Sequence, residues 1–350
     1  MNAAPGALIA ILVLAVPAAA QPVRTPPQPP VRAAHDGNTA SPDRSAPGKP
    51  ARGPVPAGAS ERARLSIEPA GHAFTRLTVE NPLGDVKVEG YDGTAIQIES
   101  HKFAPDDELL DRLHISLVPN PDGTVSIKTT ADGGKEVRSV ARAKVRIDLV
   151  IRAPRNARVE AASSSGALEV VDMDAGGDLD TASGPISVRN VQGEVMTHSV
   201  SGMTRLVQVF GSVDAQTLTS DLDLDTIGGD RVVASVHRGR IDGRRVRARD
   251  VELTTTEGRI VLEAEAALRG HLVVSSFLGD VDVQLRRHGA VVVRARGTKI
   301  DLGAPVRTQP NGWASAAMGT ADNAALVETA LVEIRAAQGN IKFAIIEGRP

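Results

Sequence analysis

Acidic side chains stand at every second position of the stretch SDLDLDT, residues 220–226. A β-strand sends alternate side chains to opposite faces, so Asp221, Asp223 and Asp225 are expected on one outward face with Leu222 and Leu224 inward. Carboxylates grouped on a strand face suit either a calcium site or the acid pair of an enzyme that cleaves polysaccharides. Which of these holds depends on the residues that lie beside them in the fold.

A second candidate is the basic run HRGRIDGRRVRARD, residues 237–250. Arginines in this number can bind an anionic polymer such as lipopolysaccharide, teichoic acid or nucleic acid. No aromatic residue interleaves the run, so stacking on nucleic acid bases has no support. Alternation points Arg245, Arg247 and Arg249 the same way, as on an ordinary outer strand face.

Other residue types that carry chemistry lack the spacing that their chemistry needs. The serines of SSSG and SVSG are not in a G-x-S-x-G elbow, and His198, His237 and His271 follow no metal-binding pattern, so surface or corner positions are expected for them. The chain contains no cysteine, which excludes disulfides, thiolate catalysis and cysteine-ligated metals. The sequence therefore predicts no catalytic residues, no cofactor-binding residues and no metal ligands, and predicts that the protein is not an enzyme.

The element that positions these residues is an internal repeat. Its anchors, about one coil apart, are Gly166, Gly184, Gly202, Ser220, Gly239, Gly258, Gly279 and Gly297. Spacing held this closely over eight anchors is the signature of a repeat architecture. Aliphatic residues follow at the second and fourth places after most anchors, as in Leu168 and Val170. We therefore predict an all-β fold, a parallel β-solenoid with about 18–21 residues and two short strands per coil, its anchors at corners where another backbone comes close.

Stacking the predicted coils pairs the charges of the acidic stretch with neighbours. The expected neighbour pairs are Asp221 and Arg240, Asp225 and Arg244, Arg244 and Glu263, and Arg259 and Asp280. Because each pair joins opposite charges, this arrangement favours a solvated charge ladder over a metal site or catalysis. Asp223 falls beside Asp242. This like-charged pair is the exception that could hold a cation, and the sequence leaves that question open.

The chain is expected to have four parts. Residues 1–20 resemble a signal peptide, with an apolar run followed by small residues. Residues 21–62, rich in Pro, Ala and Gly, are expected to be a disordered linker. Residues 63–160 are expected to form a β-rich module with one short helix within 104–118, and residues 161–350 the solenoid with a C-terminal cap, in which Gly339 is a last anchor and Trp313 packs on the cap.

Three segments precede the T-x-S-G-x-I-x-V repeats in a characteristic order: LTVENPLGDVKVEGYDGTAIQIESHK, LLDRLHISLV and DGTVSIKT. Together with the repeats, they resemble the bacterial putative-adhesin family of β-strand-repeat envelope proteins. This family is a domain of unknown function with toast-rack-like relatives. The resemblance runs from about Leu65 to the C-terminus. It implies surface interaction or envelope sensing, and it carries no catalytic residues over to this chain. Ser220 departs from the pattern, because a glycine is expected there.

Together these features predict a non-enzymatic, exported envelope protein, periplasmic or on the cell surface, that acts through a solenoid face. The expected partner is an envelope or surface protein or a polysaccharide. Nucleic acid is not expected, because the formal net charge is −2, and no transmembrane helix is expected in the mature chain. The alternatives are a carbohydrate-active β-helix enzyme, which needs a carboxylate-lined groove and aromatic platforms, and a purely structural scaffold. Ligand, coil handedness and oligomeric state stay open.

Overall fold

A computed structural model describes residues 58–69, 73–132, 145–319 and 329–346. The predicted signal peptide and most of the predicted linker lie outside the described residues. The described chain is almost entirely β-strand, which confirms the all-β class. Its one helix, α1 (Asp107–Asp111), lies inside the predicted helical stretch, and the Asp106 side chain caps it by accepting a hydrogen bond from the Leu109 amide at 2.8 Å.

The strands are short except where they pass through a corner without a break. The first eight are β1 (Ala59–Ile67), β2 (Arg76–Asn81), β3 (Val86–Tyr91), β4 (Ile96–Ala104), β5 (Leu113–Pro119), β6 (Thr124–Ala131), β7 (Arg146–Pro154) and β8 (Arg158–Ser163). The next eight are β9 (Leu168–Met173), β10 (Gly177–Thr181), β11 (Ile186–Gln192), β12 (Val195–Ser199), β13 (Thr204–Phe210), β14 (Val213–Thr217), β15 (Leu222–Arg238) and β16 (Ile241–Glu257). The last are β17 (Ile260–Glu265), β18 (His271–Leu278), β19 (Val281–Arg286), β20 (Val291–Asp301), β21 (Arg307–Thr308), β22 (Ala314–Met318) and β23 (Ala330–Ile346).

Two parallel ladders run through the repeats, one for each strand of a coil. In the first ladder, β2, β8, β10, β12 and β14 pair in order and continue through the second halves of β15 and β16 to β18. In the second, β3, β9, β11 and β13 continue through the first halves of β15 and β16 to β17 and β19. Residue 160 is the predicted boundary between the β-rich module and the solenoid. Because β2 and β3 precede this boundary and belong to the two ladders, both ladders continue across it.

The core is a set of aliphatic columns between the ladders. Val188 pairs with Val170 on one side and Leu206 on the other, and all three side chains are buried. The predicted columns of paired aliphatics are therefore present. Neither strand of a coil has enough apolar surface to form a core alone, so each coil depends on its neighbours.

The first corner of each coil carries the predicted anchors. A Cβ atom added at Gly184 would lie 1.8 Å from the Gly166 carbonyl oxygen, and one added at Gly202 would lie 1.7 Å from that of Gly184. Glycine is needed there because the backbone of the preceding coil occupies the space that a side chain would take. Gly297 was expected to follow Gly279 in this column, and that prediction is wrong. Gly339 follows instead, with its added Cβ 2.0 Å from the Gly279 oxygen.

The order of the strands reverses at both ends of the ladders. At the amino-terminal end β6 and β7 stack on the far side of β2 and β3, although they follow them in the chain. At the other end β23 lies between β18/β19 and β20. Antiparallel strands then cover the ends: β5 on β6, β4 on β7, β1 on β4, β22 on β20 and β21 on β22. Such covering limits edge-to-edge pairing with other chains.

Candidate functional site

The acidic stretch forms a charge ladder on the outer face of the second ladder, as expected. Asp223 and Asp225 are half-buried and point outward, alternating with the buried Leu222 and Leu224. Asp221 lies at the corner, where its Oδ1 accepts a hydrogen bond from the Arg240 amide at 2.8 Å. The Arg240 guanidinium is 3.6 Å from the same carboxylate, so the expected Asp221–Arg240 neighbour pair is present.

The three other expected pairs form no ion pair with each other, although the first pair are neighbours as predicted. Asp225 and Arg244 are register neighbours, but the ion pair of Asp225 is with Arg245. Arg244 does not reach Glu263, because the register of β16 against β17 shifts between Gly243 and Val246; it binds Asp242 on its own strand at 3.0 Å. In the last case, Arg259 contacts Asp282 at 3.3 Å rather than Asp280. Asp280 instead accepts the Asn340 amide at 2.8 Å.

Asp223 and Asp242 are direct register neighbours, as predicted. Burial raises the pKa of Asp223, and the charge of Asp242 adds to the rise, while Arg240, Arg205 and Arg244 act in the opposite direction. The Asp223 Oδ1 atom is buried without a hydrogen-bond partner. Across the described residues no cluster of three or more His, Asp or Glu side chains could hold a metal ion. The positive charges of Arg240, Arg205 and Arg244 therefore act on the pair.

Replacing Asp223 should reveal the cost of this buried charge. A raised folded-state pKa means that the ionised form of Asp223 is disfavoured in the native protein. The carboxyl group therefore contributes stability at pH values below its unfolded-state pKa of 3.8, and this contribution is lost as the pH rises through the folded-state pKa. We expect Asp223→Asn to stabilise the protein at pH 7, by at most about 1 kcal/mol given partial exposure, and the gain to vanish near pH 3. Urea midpoints across this pH range measure it.

The matched control is Asp221→Asn, which weakens the contacts with Arg240 and should destabilise the protein at pH 7. If Asp223→Asn lowered the urea midpoint at pH 7, the arginines would outweigh the burial, and the interpretation of this pair would be wrong.

The basic run at 237–250 is neutralised by carboxylates on its own and neighbouring strands. The pairs are Arg238 with Glu257, Arg240 with Asp221, Arg244 with Asp242, Arg245 with Asp225, Arg247 with Glu265 and Arg249 with Asp250. A surface that has its counter-charges built in attracts a polyanion weakly. The run therefore does not form an uncompensated basic patch.

The serine and threonine hydroxyls of the repeat hold the corners together. The Thr181 hydroxyl accepts a hydrogen bond from the Gly184 amide at 3.0 Å, and Ser199 accepts one from Gly202 at 2.8 Å. In three successive corners a second hydroxyl bonds to the coil before it; for example, Ser183 donates to the Ser164 carbonyl at 3.1 Å. These serines and threonines are thus structural, each satisfying a backbone group at a tight turn.

The histidines considered above, His198, His237 and His271, lie at exposed positions on three different coils, as expected. His271 borders a groove of about 270 Å³ on the outer face of the first ladder, together with Asp250, Arg231, Val233 and Val273. The register aligns Arg231, Asp250 and His271 across three strands. Asp250 thus lies between two basic side chains and also 3.5 Å from Arg249.

One column of polar residues was missed by the sequence analysis. Its members have left-handed backbone conformations, with φ between 51° and 60°, at Asp172, Asn190, Gln208, Thr226 and Arg245. Each stands six positions after a corner anchor, and the strand bends there so that the next residue turns inward. Asn190 donates to the Asp172 carboxylate at 2.5 Å, and Arg245 donates to the Thr226 hydroxyl at 2.9 Å. The recurring polar residue was the available signal, but polarity alone does not reveal a left-handed φ.

Exposed apolar side chains gather at the first corner of two adjacent coils. Val200, Met203 and Leu218 are 50%, 42% and 48% exposed, and we call these three residues the corner ridge. The Leu218 amide bonds to the Ser199 carbonyl and the Thr219 amide to that of Val200, so Val200 and Leu218 occupy successive coils of one corner. Phe277 continues this corner further along the ladder and is 53% exposed.

Trp313, the only tryptophan, is half-buried at the end of the first ladder. It follows the turn of the β21–β22 hairpin, where its amide bonds to the Asn311 side chain and its carbonyl accepts from the Gln309 amide. The guanidinium carbons of Arg294 and Arg335 lie 5.3 Å and 5.6 Å from the centre of its ring. The ring is therefore packed on the cap as predicted, with arginines as its neighbours.

No family model matches the chain, and no curated protein matches it. Among solved structures it is similar to a putative adhesin from Parabacteroides merdae, with 11% identity over 82% of this chain and 96% of that one and a TM-score of 0.44. It is also similar to a putative lipid binding protein from Parabacteroides distasonis (12%, 81% and 96%, TM-score 0.42). A third is a putative cell adhesion protein from Clostridium sporogenes (12%, 82% and 100%, TM-score 0.24).

Two of these three names are those of adhesion proteins. In the described part of the chain, no helix has the length and apolar character needed to cross a membrane.

Proposed function

We propose that this protein is an exported, non-enzymatic binding protein of the bacterial cell envelope, and that it binds a surface partner through the corner ridge. The observation that carries the proposal is the exposure of Val200, Met203 and Leu218 on adjacent coils. Large apolar side chains that stay in contact with water at one place on a folded surface mark a site of interaction.

The architecture supports the same function. Stacked coils hold the ridge on a backbone fixed by hydrogen bonds from coil to coil, such as those from the Val200 and Leu218 amides to the coil before. Binding through a pre-organised surface loses little conformational entropy. The apolar stretch within residues 1–20 and the resemblance to envelope adhesins support export, which belongs to this proposal.

A triple substitution of the ridge tests the proposal. We expect Val200→Ser, Met203→Ser and Leu218→Ser together to reduce binding of the purified protein to isolated bacterial envelopes about tenfold, because partly buried apolar anchors carry much of the energy of an interface. Co-sedimentation over a range of protein concentrations measures the affinity. Bare peptidoglycan sacculi, run in parallel, distinguish a polysaccharide partner from a membrane or protein partner.

The matched control replaces Leu65, Val118 and Val150 by serine, because these residues are 52%, 48% and 40% exposed on strands of the amino-terminal end. This control should bind like the parent protein. Equal losses in both variants would remove the ridge from the proposal, and failure of the parent protein to bind any envelope fraction would overturn the function itself.

A further inference from the structure

The end of the first ladder carries a group of arginines around the single tryptophan. Arg294 and Arg296 lie two residues apart on β20, and both are exposed on its outer face. Arg335 on β23 is the direct register neighbour of Arg296, and Arg307 on β21 faces Ser315 across the hairpin. We call Arg294, Arg296, Arg307, Arg335 and Trp313 the arginine patch.

The charge of this patch is not balanced by the residues around it. Glu333 forms an ion pair with Arg335 and is the register neighbour of Arg294. Within the described ranges, Arg294, Arg296 and Arg307 have no carboxylate at ion-pair distance. Four arginines against one glutamate leave three positive charges, whereas the basic run at 237–250 has a carboxylate for each of its six paired arginines.

Like charges placed side by side oppose the pairing of strands that carry them. Arg296 and Arg335 are such neighbours, and adjacent arginines lower the stability of a sheet rather than add to it. The pairing of Arg296 with Arg335 therefore does not stabilise the sheet. An anion bound between the two side chains would remove the repulsion, since a guanidinium group presents paired N–H donors that match a carboxylate or a phosphate.

The tryptophan restricts the class of anion. The cation–π contacts of Arg294 and Arg335 hold their charged groups against the indole ring, so an anion bound by these arginines also lies beside the ring. An indole ring offers an apolar surface next to a polar edge, which suits the apolar face of a sugar ring. A strand of nucleic acid is a poorer fit, because a single aromatic side chain can stack against only one base.

We propose that the arginine patch binds an anionic saccharide, a sugar ring that bears a carboxylate group. Arg294 and Arg335 bind the anionic group, Arg296 and Arg307 add positive charge around it, and Trp313 contacts the sugar ring. This site lies on the first ladder at the carboxy-terminal end, apart from the corner ridge, and it does not depend on the function proposed above.

Fluorescence of Trp313 provides a direct test, because all tryptophan emission of the protein comes from this residue. The purified protein is titrated with hexagalacturonate, and the emission is expected to change in a saturable way that weakens as sodium chloride is added. The uncharged maltohexaose should give no change. Arg294→Gln combined with Arg335→Gln should raise the Kd at least about tenfold, the effect of losing charge-assisted hydrogen bonds.

The matched control is Arg152→Gln combined with Arg189→Gln. These exposed arginines each pair with one glutamate, Glu89 or Glu169, on the second ladder, and their loss should leave the Kd unchanged. In calorimetric titrations Trp313→Phe should weaken binding severalfold, which separates a role of the ring from a role of charge. Circular dichroism confirms that each variant is folded.

Several results would overturn the proposal. These are the absence of any response to hexagalacturonate, an equal response to maltohexaose, and equal Kd values for the patch variant and its control. Binding of polyphosphate or of a thymidine hexanucleotide as tight as that of hexagalacturonate would show a general polyanion site and would equally reject the saccharide. Failure here leaves the corner ridge untouched, since the ridge is tested by other substitutions.

Discussion

Gly202→Val is expected to prevent stable folding, with a loss of about 4 kcal/mol or more in the free energy of unfolding. An added Cβ at this position would lie 1.7 Å from the Gly184 carbonyl oxygen and 2.5 Å from the carbonyl carbon. Atoms this close must move, and they belong to the backbone of the neighbouring coil. A Cβ atom added at Gly184 would likewise lie 1.8 Å from the Gly166 carbonyl oxygen, so the next coil is packed just as closely. The neighbouring backbone therefore has no space into which it could move to relieve the strain.

Urea unfolding followed by circular dichroism measures the effect, and Gly202→Ala provides a graded version in case the valine variant does not fold. The matched control is Ser220→Ala, in the same corner column, where the protein already has a Cβ atom; it should change the free energy of unfolding by less than about 1 kcal/mol. A Gly202→Ala variant as stable as the parent protein would show that the coils are not packed at the distance the structure gives.

Asn81→Ala is expected to cost about 3 kcal/mol, because it breaks a network of hydrogen bonds made by a fully buried side chain. The Asn81 amide group donates to the Ile147 carbonyl at 2.8 Å and to the Asp85 carbonyl at 3.3 Å. Its Oδ1 atom accepts from the Thr129 hydroxyl at 2.6 Å and from the Leu83 amide at 3.3 Å. One side chain thus joins β2, β6, β7 and the turn that follows β2.

Thr129→Val is the control for this prediction, since it removes one hydrogen bond of the network and keeps the shape of a buried side chain. It should cost about 1 kcal/mol, and Asn81→Ala should cost clearly more. Thermal or urea unfolding of both variants measures the difference. If Asn81→Ala cost no more than Thr129→Val, the network would contribute little to holding these strands together.

The network also shows how a correct local interpretation can miss the main role of a residue. Asn81 followed by Pro82 signals a turn, and a turn is present between β2 and β3. Nothing in the adjacent sequence indicates that the side chain binds Thr129 and Ile147, because those residues lie 48 and 66 positions away. Only the stacking of β6 and β7 against β2 and β3 brings them together.

The ion pairs of the charge ladder also show which contacts the repeat period can predict and which it cannot. Periodicity was enough to place Asp221 next to Arg240 and Asp223 next to Asp242. It could not give the partners of Arg244 or Arg259, because a register shift of one residue or the reach of a long side chain changes the partner without changing the period. The left-handed bend at Arg245 is a conformational choice of this kind, and that residue forms the ion pair with Asp225.

By itself the sequence determined the all-β class, the two strands of each coil, the glycine corners and the buried aliphatic columns. These features repeat between contiguous coils, so spacing along the chain reports them. The tertiary structure decided the strand order at both ends of the ladders, the left-handed column, the neutralised basic run and the uncompensated arginine patch. Each of these depends on which distant strand occupies a free hydrogen-bonding edge, and a repeat period carries no information about that choice.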